Sequence, residues 1–142
     1  MIKRDQKPPK FRGKAAETRH PIGFGLEVAG WLHDNYTSDH SKAVLQCISE
    51  LFDFYGCMGQ DPYPVKAAQQ CCRKFVLLYC ALSNEAGDQS QAPWRIRPKL
   101  HLVLELGEYQ SESLGDPSTF WTYKDEDYVG WCAQVMSARG GQ

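Results

Sequence analysis

No uninterrupted apolar run in this chain approaches the roughly 20 residues that a membrane helix needs, which excludes a helical span. The start is charged but has no apolar stretch behind it, so it does not read as a secretory signal. No Cys-x-x-Cys pair occurs among Cys47, Cys57, Cys71, Cys72, Cys80 and Cys132, and His20, His33, His40 and His101 are scattered. That spacing removes the usual zinc and redox motifs. The chain is also too long for a loop-rich disulfide scaffold. The expectation is a reduced, intracellular, metal-free protein with no cofactor, and no signal chooses between nucleus and organelle. No internal repeat is visible. Acid is scarce at the N-terminus, where Asp5 stands alone against Lys3, Arg4, Lys7, Lys10, Arg12 and Lys14. With the whole chain at −1, the remainder is net acidic.

What is present suits one domain. A chain of 142 residues, 42% hydrophobic and 23% charged, is long enough to bury a core. Pro8-Pro9 and Gly13 break any regular pattern over residues 1–13, which read as a disordered basic arm, with 14–142 as a single helical domain. The arm's cations could release counterions from a phosphate backbone and give salt-sensitive binding. Phe11 is its only aromatic, so base stacking has little support.

Helical periodicity organises the rest. Residues 14–20 read as a short helix ended by Pro21. Residues 22–34 carry Phe24, Leu26, Val28, Trp31 and Leu32 and form a helix weakened by Gly23, Gly25 and Gly30. Ser38 or Asp39 can cap the next helix, over 39–58, whose stripe is Val44, Ile48, Leu51, Phe52, Tyr55 and Met58. Pro64 suits a first helical position. The stripe Val65, Ala68, Cys72, Phe75, Val76, Tyr79 and Leu82 follows over 64–83, with Arg73-Lys74 as a solvated edge. Two long helices joined by a short loop pack as an antiparallel hairpin. Residues 84–96 are a polar loop. Leu100, Leu102, Leu104 and Leu106 alternate as in a strand, whereas Pro98, Glu105, Glu108 and Glu112 suit a helix. Residues 125–138 place Tyr128, Trp131, Cys132 and Val135 on one helical face. The fold class is all-α, a compact bundle of about five helices around that hairpin. Trp31, Trp121 and Trp131 are expected core anchors, and Trp94 is expected to pin the loop before Pro98.

One stretch carries a resemblance. Gly115-Asp116-Pro117 makes a turn, Trp121 and Tyr123 follow, and Asp125-Glu126-Asp127 opens an amphipathic segment ahead of Tyr128. Upstream lie Lys99 and His101, and near the start Lys14, Glu17 and Arg19. This combination resembles the C-terminal helical region of eukaryotic cut-and-paste DNA transposases and the proteins derived from them, over about residues 14–135. In that family a Lys-x-x-Glu-x-Arg helix precedes a helical insertion. A Lys-x-His segment, a Gly-led turn and a Trp-x-Tyr then lead to a Glu that closes an RNase H-like acidic site. Trp121, Tyr123, Glu126 and Tyr128 match in register, and Gly115 lies six residues before Trp121, as there. The resemblance implies helix at 100–106 and puts Glu126 at the last catalytic carboxylate.

Departures from the pattern limit the chemistry. Asp127 stands where the family is usually basic, and Glu105 replaces a second histidine. The strand-borne acids that complete a two-metal site have no counterpart here, and Glu126 alone cannot run phosphoryl transfer. Consecutive helical residues diverge by about 100°, so Asp125, Glu126 and Asp127 cannot together hold one ion. Acids in a first helical turn also complement the helix dipole without any ligand. His101 reads as a helix-surface imidazole, and Glu17 and Arg19 do not face each other. The functional expectation is a non-catalytic, transposase-derived helical domain acting through protein contacts, with nucleic acid as a second partner class through the arm. The alternative is a small accessory subunit of a large intracellular assembly, anchored by that arm. The third reading is a fragment of a divalent-metal nuclease.

Overall fold

A computed structural model describes residues 21–87, Trp94, Ile96 and 98–120. Among them every regular element is helical, so the all-α expectation holds. The order is α1 (Pro21–Asn35), α2 (Asp39–Cys57), α3 (Val65–Ala86), α4 (Pro98–Leu104), a π-helical segment Glu105–Gln110, α5 (Ser111–Leu114) and α6 (Pro117–Phe120). The basic arm, the short helix expected at 14–20 and the segment 125–138 lie outside the described residues.

Local chemistry starts α2 where the sequence suggests. Ser38, extended at φ −146°, accepts from the Ser41 amide at 3.0 Å, and Ser41 Oγ accepts from the Ser38 amide at 3.1 Å. This reciprocal capping box satisfies two amides that the first turn leaves open. Pro64 is the residue before α3 rather than its first helical position, with ψ at 72°. Helix α3 then runs past Leu82 to Ala86, into the expected loop, and stops at Gly87, whose φ of 67° suits glycine.

The hairpin of α2 and α3 is the spine. Early α2 meets late α3 through His40 and Glu85, and mid-helix through Lys74 and Glu50, so the two run antiparallel. Cys47, Phe54, Ala68, Cys72 and Leu82 are buried between helices. Burying a ring or a leucine of this kind contributes about 2–3 kcal/mol. Two expectations need correcting. Phe52 is exposed and Phe54 takes the core place, because α2 serves neighbours on two faces: α1 on one, and α3 on the other, where the Phe54 ring also meets Gly107 of the π-helical segment. Trp31, expected in the core, is 58% exposed, because α1 packs through Ala29 and the ring lies about 160° around the helix from it.

Residues 100–106 are helix, not strand, up to Leu104, where the helix widens into the π-helical segment. There Gly107 crosses α3 so closely that a Cβ would sit 2.5 Å from Cys72 Sγ. Side chains take up carbonyls along this stretch: Ser111 Oγ donates to Gly107 O at 2.6 Å, Gln69 Nε2 to Glu108 O at 2.8 Å, and Cys72 Sγ to Val103 O at 3.3 Å. Each contact replaces water that burial excludes. Trp94 meets Tyr79 edge-on at 5.4 Å, where the sequence expects it to pin the preceding loop.

Candidate functional site

The resemblance concentrates its chemistry after Phe120. Asp125, Glu126 and Asp127, with Trp121, Tyr123 and Trp131, lie outside the described residues. So do Glu17, Arg19 and the arm cations Lys3, Arg4, Lys7, Lys10, Arg12 and Lys14. What the structure does place is the approach to that stretch. Gly115 takes φ 80°, and Asp116 follows it as a clamp. One carboxylate oxygen accepts from the Ser118 amide at 2.8 Å, and the other accepts from the Gly59 amide at 2.7 Å. The turn leading toward Trp121 is thereby fixed to the end of α2. Beside it the Tyr63 hydroxyl is buried, with no hydrogen-bond partner of good geometry among the described residues. Burial first, then the Asp116 charge, pushes Tyr63 up to about 12.

Lys99 and His101 stand exposed on α4. His101 Nε2 lies 3.7 Å from Glu105 Oε2, one helical turn on, with both side chains open to solvent. Glu105 thus faces the histidine as a local charge partner. Among the described residues no three His, Cys, Asp or Glu side chains gather where they could hold an ion. Cys47, Cys71 and Cys72 are poor nucleophiles at neutral pH. Burial pushes Cys47 up to about 12 and Cys71 and Cys72 to about 11, the charge of Glu50 adding to Cys71 and that of Glu108 to Cys72. Arg73 and Lys74 are exposed, as expected, but engaged: Arg73 pairs with Glu108, and Lys74 with Glu50 at 3.1 Å.

A cleft of about 260 Å³ opens between α1 and the start of α2, walled by Ala29, Leu32, Tyr36 and Val44, with His40 and Ser41 at its polar side. His33 Nδ1 lies 3.4 Å from Ser41 Oγ, a pairing that could suggest an activated hydroxyl. The hydroxyl is already committed, since Ser41 Oγ donates to Tyr36 O at 2.8 Å while capping α2. The cleft is a mostly apolar recess rather than a catalytic pair.

That recess continues along α1. Phe24, Val28, Trp31 and Leu32 recur at four-, three- and one-residue steps on one flank, all exposed, with Phe24 at 69%. Tyr36 extends the line, edge-on to Trp31 at 6.2 Å. Exposed acids Glu27, Asp34 and Asp39 border it. Among the described residues α1 packs against α2 alone, so this flank has no neighbour there. A contiguous apolar flank of this kind marks an interaction surface. Sequence reasoning placed Phe24, Val28, Trp31 and Leu32 on one helix and expected only Trp31 in the core. The available signal was Ala29, the small residue that lets α1 approach α2 and turns the aromatics away.

Comparison with known protein families, with curated proteins and with solved structures finds no match.

Proposed function

We propose that this chain is a transposase-derived helical domain without self-contained catalysis, which works by holding an amphipathic helix of a protein partner along α1. The observation that carries the reading is the exposed row Phe24, Val28, Trp31 and Leu32, leading into the cleft at Tyr36 and Val44. Apolar anchors at i, i+4, i+7 and i+8 are the spacing with which one helix receives another. Glu27, Asp34 and Asp39 beside the row select a partner helix with basic residues flanking its apolar face. A second copy of α1 is disfavoured for the same reason, since it would set acid against acid. The transposase-derived part of the reading is supported by Lys99 and His101 on a helix and by the turn at Gly115 ahead of Trp121.

Fluorescence anisotropy with labelled model helices tests the reading on the full chain. A leucine–lysine helix should bind saturably, a leucine–glutamate helix should not, and Val28→Asp should abolish binding without changing the circular dichroism spectrum. Equal binding of both helices, or undiminished binding by Val28→Asp, refutes the α1 surface. Stoichiometric Mn²⁺ binding that disappears in Glu126→Gln returns the chain to the nuclease reading.

A further inference from the structure

Helix α1 ends in an open aromatic corner. Trp31 and Tyr36 are each more than half exposed, and their rings stand at 69° to one another with centroids 6.2 Å apart. We propose that this corner receives the guanidinium of an arginine on the partner helix and selects arginine over lysine at that position. The inference rests on the reading of α1 as the surface for a basic partner helix, and it names the side chain that anchors one end.

Backbone contacts hold the corner in shape. The Tyr36 amide donates to Leu32 O at 2.8 Å, so its backbone continues the last turn of α1. Tyr36 O accepts from Ser41 Oγ at 2.8 Å, which ties the same residue to the first turn of α2. Asn35 Nδ2 donates to Trp31 O at 2.8 Å and closes that turn. Rings carried on a fixed backbone lose little freedom when a ligand stacks on them.

Three features favour a cation here. An aromatic face attracts positive charge through its quadrupole, tryptophan most strongly. The corner lies at the negative, C-terminal end of the 15-residue α1. Asp34 neighbours Trp31 at i, i+3, and Asp39 follows Tyr36 by three residues. Both acids are exposed, and among the described residues neither has an ion-pair partner. The opposing cations are engaged elsewhere: His33 meets Ser41 Oγ, and the positive start of α2 is met by its own capping box. Arginine answers all three features at once. Its stem covers apolar ring surface, its plane stacks on an aromatic face, and its fork binds a carboxylate through two parallel hydrogen bonds. Lysine brings a compact, strongly hydrated charge that fits a flat ring less well.

Fluorescence anisotropy on the full chain compares the leucine–lysine helix with the same helix carrying arginine in place of lysine. The arginine helix should bind about two- to fivefold more tightly, the scale of a cation–π contact at an exposed site. Trp31→Leu, which keeps an apolar side chain in the row, should remove that preference, whereas Phe24→Leu at the far end should keep it. Equal Kd values for the two helices, or a preference that survives Trp31→Leu, overturns the proposal. A second measurement separates the corner from the helix-holding surface. N-acetylarginine amide, titrated with no helix present, should shift the indole N–H resonance that Trp31→Leu lacks, and N-acetyllysine amide should shift it less. If that shift appears and neither helix binds, the corner stands and the reading of α1 as a helix surface falls. If both helices bind alike and no shift appears, the helix surface stands and the corner falls.

Discussion

Replacing Gly107 by alanine tests whether the close crossing of the π-helical segment over α3 is set by the missing side chain. The new Cβ would stand 2.5 Å from Cys72 Sγ, 2.8 Å from Cys72 Cβ and 3.0 Å from a Phe54 ring carbon. Cys72 is fully buried and its Cβ is fixed to α3, so rotating a side chain away relieves only part of the clash. Reaching ordinary contact requires the two helices to part by about 1 Å. Overpacking of this kind costs about 1–3 kcal/mol, and the lost contacts of Phe54 add to it. Against this, alanine in place of glycine favours helix by about 1 kcal/mol. A net loss of about 2 kcal/mol, or a fall in Tm of about 4–8 °C for a chain of this size, is expected. Thermal unfolding followed by circular dichroism measures it. Gly30→Ala, with nothing within 4 Å of its Cβ, serves as control and should raise stability by about 0.5–1 kcal/mol. In a Cys72→Ala background the cost of Gly107→Ala should shrink, an energetic coupling between the two sites. A Gly107→Ala chain that melts at or above the parent temperature refutes this account of the crossing.

Two other predictions concern a titration and a cap. Burial holds Cys47, Cys71 and Cys72 well above their ordinary 9.0, so their protonated form is favoured in the fold. Their contribution is complete below pH of about 9 and is lost as pH climbs toward 11–12, because the unfolded chain releases those protons first. The urea midpoint should fall between about pH 8.5 and 10.5, and a flat or rising midpoint contradicts the burial of the thiols. Ser38→Ala removes the side-chain half of the capping box and should cost about 1 kcal/mol in urea unfolding, while Ser38→Gly costs only a few tenths.

The hairpin was legible because α2 and α3 each carry a stripe at helical spacing, and Ser38 announces where the first of them begins. Which aromatic of α2 enters the core was not. Phe52 and Phe54 both border a hydrophobic face, and only the positions of α1 and α3 decide that Phe52 stays half outside. The strand-like alternation of Leu100 to Leu106 does not by itself choose between strand and helix. The helix there follows from burial of Leu106 and Gly107 against α3, a tertiary fact without local periodicity. The widening into a π-helical turn was likewise unreadable, since it lies where Gly107 packs against Cys72, far away in sequence. Trp31 shows the limit most plainly. The sequence expectation set Trp31 in the core, yet helix geometry around Ala29 turned the ring outward onto the exposed flank. Of the acidic triplet, the sequence supplies count and spacing, while the structure fixes only the turn that precedes it, through Asp116.

The single-neighbour packing of α1 has a consequence for how the molecule comes apart. Helix α3 touches α2, α4, the π-helical segment and α5, whereas α1 leans only on α2 among the described residues. Detaching α1 therefore breaks one interface and leaves the others whole, so α1 forms an opening unit of lower free energy than the rest. Its amides exchange with solvent through that partial opening, while those of α3 wait for global unfolding. A helix docked on α1 closes the weakest door of the bundle, slowing exchange there long before it alters the midpoint of the whole chain.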